Sequence, residues 1–484
     1  MSLDPLFHRV DPAARAVGRL LYRGLLRLDD RALPTPDLAA GFGVSGDGLT
    51  YTFSLRAAMR WSNGAPITST DVAATIAVVQ DPAYSDATLA AAWKGVAVGT
   101  PQPLTVVLTL TMPRASFATT VADLPVLPAS ALMGRSVDAI AASAAAPLPV
   151  SGPYQVTSTD RSAVHLGINP HASPQPALRT VELRLEPTAD AALAAFTGGQ
   201  VDGVLATTPR QRAAVAQVSG ARLHDITTFR FVDMLFNTHR RGLDDATVRH
   251  AVAGAVDRGA LITAALGGVA RAQVDAIPAG IPWIGPRAAE QPDPELSQRA
   301  LDAAGWREDP SGIRIRDGVP LAYVLTVPDA DPLPTVAREV ARQLGVIGIS
   351  VTIRAVPAES YEQSVLIAGQ FDLALADWDS GPDPDVSSFW RSNATPPRGA
   401  NVSGEAGDLF LDQALDALAT EADVPLRQAA AERVDQRLAD DAPAVFLYAP
   451  VVTLAVGDRV DATAVPAQAA PADRFDGVVG WRRT

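Results

Sequence analysis

PTPDLAAGFGVSGDGLTYTFSLRAAMRWSNGAPITSTDVAATI, residues Pro34–Ile76, contains the pattern that decides the fold class. Within it, Leu49–Arg56 alternates strictly. Leu49, Tyr51, Phe53 and Leu55 share one face, and Thr50, Thr52 and Ser54 share the other. A period of two with one apolar face predicts a half-buried strand. The period then changes. Asp71–Gln80, DVAATIAVVQ, reads as a helix begun by Thr70 or Asp71 and ended by Asp81–Pro82. A half-buried strand followed by a helix points to mixed α/β architecture. Gly41–Gly46, GFGVSG, satisfies G-x-G-x-x-G. That motif binds pyrophosphate only with a strand before it and a helix after it. Here a strand follows, so the segment reads as a turn into Leu49–Arg56.

The same reading extends outward. Ala13–Leu26 places Val17, Leu20, Leu21 and Leu25 at helical spacing after Asp11–Pro12. Leu104–Met112 alternates as a second strand. An alanine- and proline-rich stretch, AASAAAPLPVSGPY, closes a small α/β unit over about 27–148. Beyond it, TVELRLEP reads as a strand, and AALAAFTGGQVDGV as a helix stopped by Gly198–Gly199. From about 239 to 450 the pattern alternates between helix and strand, which predicts a mainly parallel sheet. DATVRHAVAGAVDRGALITAAL reads as one helix, VAREVARQLGVIGISVTIRAV as helix–turn–strand, and QFDLALADW as a strand. The tail, 452–484, returns to short strands and turns.

Composition bounds the function. A chain of 484 residues needs two or three domains. Hydrophobic residues at 48% against 19% charged supply large cores. The net charge of −13, without a basic stripe, disfavours nucleic-acid binding. Lys94 is the only lysine. The absence of cysteine removes disulfides and thiolate chemistry. No run of about 18 apolar residues predicts a membrane span. His8, His165, His171, His224, His239 and His250 are scattered, with no helical i,i+4 pair, so no metal site is expected. No G-x-S-x-G, H-E-x-x-H or Walker-type loop is present. No catalytic residue, cofactor or metal is assigned.

The densest polar cluster is Ala376–Trp390, ADWDSGPDPDVSSFW, with Asp377, Asp379, Asp383 and Asp385 and with Trp378 and Trp390 nearby. It follows the strand ending near Asp377. Ligands of open α/β sheets sit at strand carboxyl ends. An aspartate there can pair with an ammonium, and a tryptophan can stack on a flat or apolar group. A proline-rich turn capped by its own aspartates would carry the same composition.

Taken together, these motifs resemble family 5 extracellular solute-binding proteins, the dipeptide/oligopeptide/nickel-binding group of ABC importers. The resemblance runs from LYRGLLRLDD and Pro34–Ile76 through SGPYQV, LFNTHRRGLDDATVRHAVAGAVDRGALI, ALDAAGW and LGVIGISV to RQAAAERVDQRLADDAPAVFLYAP. It implies an α/β, bilobal periplasmic-binding-protein-like fold of class II, large cluster C type. The first lobe's core would be 1–26, 149–238 and 452–484, with an extra subdomain at 27–148, and the second lobe 239–451. A hinge is implied at Phe236–Asn237–Thr238 and at Pro450–Val452.

The implied function is a monomeric receptor that closes on a peptide or peptide-like solute and delivers it to an ABC permease and ATPase. Nickel chelates, sugars, glutathione and heme are the alternative solutes. A hydrolase acting in the same cleft is the reading of a different class, with the Asp377–Asp385 cluster as its candidate acid and base. Implied ligand-binding residues are Trp378, Asp379, Ser380, Asp377, Arg9, Val10 and Asn401. Ser380 stands where peptide-binding members carry the aspartate that pairs with the α-amino group, and Asp379 lies one residue earlier. The implied location is extracytoplasmic, in the periplasm or as a cell-surface lipoprotein. The family's export signal and first strand would precede the LDP segment that here begins at Leu3.

Overall fold

The computed structural model describes residues 5–7, 12–142, 148–281, 283–284, 291–404 and 408–484. The first helix, α1 (Pro12–Leu21), stops earlier than its apolar spacing suggests. Leu26 instead opens a short hairpin of β1 (Leu26–Leu28) and β2 (Pro34–Pro36). β3 (Ala39–Val44) and β4 (Thr50–Leu55) follow, joined by a turn at Ser45–Gly48. The glycines of GFGVSG therefore lie in a strand and its turn, not at a helix N-terminus.

Tyr51, Phe53 and Leu55 are buried, as the alternation requires. The helix α2 (Ser69–Gln80) starts at Ser69, ahead of the expected Thr70 or Asp71. Thr68 caps it, and the Asp71 carboxylate accepts the Thr68 N–H at 2.8 Å, closing a capping box. β5 (Ala97–Gln102) and β6 (Thr105–Thr109) complete an antiparallel sheet in the order β3-β4-β6-β5. This sheet's inner face packs into one continuous core with Val17, Leu20 and Leu21 of α1 and with Val452 and Leu454 far along the chain.

A second antiparallel sheet is formed by β7 (Tyr154–Thr159), β8 (Ala163–Ile168) and β9 (Thr180–Arg184). The helix α3 (Ala189–Thr197) ends at Gly198, as expected. Next come β10 (Gly203–Ala206), β11 (Arg222–Thr227), β12 (Arg230–Phe236) and β13 (Ala270–Ala272). The segment read as one helix from Asp245 is two, α4 (Ala246–Ala255) and α5 (Arg258–Leu266), because Asp257 caps a new helix through the Ala260 N–H at 2.8 Å.

A minor sheet of β14 (Arg307–Glu308), β15 (Arg314–Arg316) and β16 (Val319–Pro320) leads to β17 (Ala322–Pro328), the helix α6 (Leu333–Val346), β18 (Ser350–Val356) and β19 (Leu373–Asp379). The antiparallel helices α7 (Leu409–Thr420) and α8 (Val424–Asp441) precede β20 (Ala444–Val456). Among the described residues, no helix is long and apolar enough to cross a membrane.

β17 pairs parallel with β18 and β19, whereas β12 pairs antiparallel with β19 and β20. The expected mainly parallel sheet is thus mixed. β12 comes before the helix–strand alternation and runs opposite to its neighbours β19 and β20, so β20 keeps the direction of β17, β18 and β19. One face of this sheet buries Val232, Met234, Leu325, Leu373 and Leu375 against α4, α5 and α6. The other buries Phe231, Leu235, Ala374, Ala376 and Phe446 against α7 and α8.

Two lobes result because β20 is long. Its first half, Ala444–Tyr448, pairs with β12, and its second half, Val451–Val456, pairs with β11 and β10. β11 continues into β12 through Thr228 and Phe229. The chain therefore passes between the lobes at Thr228–Phe229 and, alongside, at Ala449–Pro450. Thr228 ties the two passages by donating its N–H and its hydroxyl to the Pro450 carbonyl, at 3.1 and 2.9 Å. Gly280 packs so closely here that a Cβ would lie 2.5 Å from the Thr228 carbonyl oxygen.

The expected hinge at Phe236–Asn237–Thr238 is corrected by this pairing. Phe236 is fully buried at the far end of β12, opposite Leu373, and β12 pairs with β19 along its whole length. Pro450 lies between the stretches of β20 that pair with β12 and with β11, and Val452 pairs opposite Ile226.

Asp245, the cap of α4, carries a testable charge. Its carboxylate accepts the Thr247 N–H and the Arg316 guanidinium, both at 2.9 Å. Burial pushes its pKa up, but those hydrogen bonds outweigh burial and hold it below the ordinary range. A depressed folded pKa gives stability that is present above the unfolded value and lost as pH falls through the folded one. Asp245→Ala is expected to cost about 1 kcal/mol near neutral pH. Denaturant melts should show that difference shrinking as pH drops below about 4. A pH-independent difference would contradict the charge argument.

Candidate functional site

β19 delivers the site. Its alternation sends Ala374, Ala376 and Trp378 to one face and Asp377 to the other. Its carboxyl end lies beside the start of β12, where Arg230 pairs with Asp379, Phe231 with Trp378 and Val232 with Asp377. That end of the sheet meets the passages between the lobes.

The Trp378 ring is half-buried, 5.1 Å from Phe389, and its Nε1 donates to Asp233 Oδ1 at 3.2 Å. Asp377 takes a bidentate pair from Arg230, Nε–Oδ1 3.0 Å and Nη2–Oδ2 2.8 Å. Burial raises the Asp377 pKa, and Arg230 offsets only part of that rise. Asp379 is exposed, and one of its oxygens accepts the Gly381 N–H at 3.0 Å. The partly exposed Ser380 donates its hydroxyl to the Phe229 carbonyl at 3.1 Å, anchoring the loop to the passage.

The remaining acidic residues of the cluster hold the loop. Asp383 is buried against Arg427, with Oδ2–Nη1 3.0 Å and Oδ1–Nη2 2.5 Å. Asp385 accepts the Ser387 N–H at 3.0 Å. Asn401 does not join Trp378. It is buried, donates to the Trp390 and Arg391 carbonyls, and lines a shallow cavity with Asn237 and His239 at the opposite end of β12. Arg9 and Val10 lie outside the described residues.

The first lobe reaches this region. Ala32, at the tip of the β1–β2 hairpin, is buried in the second lobe's apolar cluster, with Leu33 packed beside it. Farther out, the Ala115 N–H donates to the Ala419 carbonyl at 2.8 Å, joining the small sheet's lobe to α7. The sequence reading missed Asp233, Arg230 and this hairpin tip. Arg230 and Asp377 are 147 positions apart, and no local pattern links them.

Comparison with known proteins places this geometry. Residues 34–399 match the family described as bacterial extracellular solute-binding proteins, family 5 middle. Protein XP55 of Streptomyces lividans is 28% identical over 438 residues, covering 88% of this chain and 78% of that protein. A putative ABC transporter peptide-binding protein of Brucella ovis is 26% identical over 382 residues, covering 76% and 69%. The oligopeptide-binding protein AppA of Bacillus subtilis, solved with a nonapeptide, superposes with a TM-score of 0.71 at 19% identity. That match covers 100% of this chain and 97% of AppA, which establishes a shared fold.

Proposed function

Since this chain belongs to the family 5 bacterial extracellular solute-binding proteins, we propose that it is the extracytoplasmic receptor of an ABC importer. Its two lobes close on a peptide or peptide-like solute and pass it, unchanged, to the permease and ATPase. The observation that carries this reading is the pair of adjacent passages at Thr228–Phe229 and Ala449–Pro450, with Trp378 presented beside them. Two neighbouring strands that change sheet together form a hinge. A solute touching both lobes binds the closed form better and shifts the population towards it. The division that follows has a first lobe of 1–26, 149–227 and 451–484, a subdomain at 27–148 and a second lobe at 230–449.

Trp378 is the stacking surface of this cleft, and Asp379 is its partner for a solute ammonium. Asp379 is the exposed carboxylate of the loop, whereas Asp377, Asp383 and Asp385 are engaged by Arg230, Arg427 and the Ser387 N–H. The same fact weighs against hydrolysis in this cleft, which requires two carboxyl groups working as acid and base. Micromolar affinity requires about 8 kcal/mol net, within reach of apolar burial and a few charge-assisted hydrogen bonds.

A melting panel of di- to hexapeptides, sugars, glutathione and metal chelates tests the proposal. A true solute at one hundred times its Kd should stabilise the protein by about 2.7 kcal/mol. It should be recovered intact by mass spectrometry. An N-acetylated form of a binding peptide should bind at least about tenfold more weakly, a loss of about 1.4 kcal/mol. Equal binding of both forms rules out the Asp379 role. Cleaved peptide, or no shift from any solute, rules out the receptor.

A further inference from the structure

Asp233 is an anomaly of the second lobe. It sits in the middle of β12 with no exposed surface, between Phe231 and Leu235 on the face that packs against α7 and α8. One carboxyl oxygen accepts the Trp378 indole N–H at 3.2 Å, and Oδ2 has no hydrogen-bond partner. Among the described residues no cation pairs with it. The neighbouring Arg230 is committed to Asp377 on the opposite face of the sheet. A buried carboxyl with an idle oxygen is costly, and every other side chain of this strand's inner face is apolar. Burial accordingly pushes the Asp233 pKa well above the ordinary carboxylate range, with the Asp377 charge adding to the rise. Stability alone would favour leucine at this position. The contact that only a carboxyl or amide can make here is the one to Trp378.

We infer that Asp233 is a positioning residue for Trp378, holding the indole N–H inward so that the ring offers a solute its apolar face and edge and no hydrogen-bond donor. The inference rests on the reading of Trp378 as a cleft residue. Its consequence is chemical. A ring whose N–H is consumed from behind favours an aliphatic or aromatic side chain, or a cation over its face, and gains nothing from a carbonyl or carboxylate acceptor. Phe389, 5.1 Å from the ring, limits its swing from the side, while Asp233 fixes which edge points outward. The subsite at Trp378 is therefore set for apolar or cationic side chains by a residue that no solute touches.

The test compares Asp233→Asn, which keeps an acceptor oxygen, with Asp233→Leu, which keeps the shape and removes it. The Trp378 indole ¹⁵N–¹H signal is identified by its loss in Trp378→Phe. Its proton should exchange slowly in the wild type, stay within about threefold of that rate in Asp233→Asn, and exchange at least tenfold faster in Asp233→Leu. The Tm of Asp233→Leu should be unchanged or higher. A purely structural role would instead lower Tm in Asp233→Leu with the indole signal unaltered, and that outcome overturns the inference. So does an unprotected indole in the wild type.

Ala-Xaa-Ala tripeptides with Leu, Lys, Asn or Asp at the centre supply the second arm. The wild-type preference for Leu and Lys should narrow about tenfold in Asp233→Leu and persist in Asp233→Asn. An unchanged preference in Asp233→Leu overturns the specificity role. If Trp378→Ala leaves the tripeptide melts untouched, the cleft reading fails, and the exchange rates alone still decide whether Asp233 positions the ring.

Discussion

Arg427→Ala lowers the free energy of unfolding by about 3–5 kcal/mol, because it strands a buried carboxylate. Arg427 and Asp383 are 6% and 9% exposed, and two parallel contacts join them. The same guanidinium donates to the Leu418 carbonyl at 2.9 Å and lies 5.7 Å from the Trp283 ring centroid. One side chain thus fastens the loop after Trp378 to the end of α7, the start of α8 and Trp283. Removing it leaves Asp383 without a counter-charge, the Leu418 carbonyl without a donor and a cavity beside Trp283. The paired replacement Arg427→Met with Asp383→Leu should recover most of the loss, since desolvating two charges offsets much of their attraction. Denaturant melts of the single and double variants check both statements. A single variant within about 1 kcal/mol of the wild type would show that water reaches the pair and screens it.

Trp378→Ala weakens binding of a peptide found by the melting panel about thirtyfold, which corresponds to about 2 kcal/mol. The half-buried ring lies at the carboxyl end of β19, and removing it deletes an apolar stacking surface beside the loop. Trp378→Phe should retain most of the affinity, since a stacking face remains. Calorimetric titration of both variants provides the measurement. Affinity unchanged in Trp378→Ala would move the binding surface elsewhere in the cleft.

Much of this arrangement is written locally. β4 follows from strict alternation, α2 from Thr68 and Asp71, the end of α3 from Gly198, and the Trp378 loop from a strand end crowded with aspartate and proline. Features that depend on partners distant in sequence are not. Arg222–Phe236 has no glycine or proline to mark where β11 gives way to β12. Only the register against β20 marks the break between β11 and β12 at Thr228–Phe229. The resemblance instead implies a hinge at Phe236–Asn237–Thr238, at the other end of β12.

The acidic loop shows the same division. Its composition suggested one pool of carboxylates. Arg230 and Arg427, far away in sequence, engage two of them and leave Asp379 exposed. Asn401 is implied as a ligand-binding residue by the resemblance alone, and its amide donates to the Trp390 and Arg391 carbonyls.

Closure of the two lobes about Thr228–Phe229 and Ala449–Pro450 is tested most directly by an interlobe distance. The chain contains no cysteine, so Gln217→Cys and Glu359→Cys, both exposed and on opposite lobes, accept spin labels at those two positions alone. Pulsed electron paramagnetic resonance should show a broad or long distance distribution without solute, collapsing to one shorter distance when a binding peptide is added. The same distribution with and without saturating peptide would contradict the account.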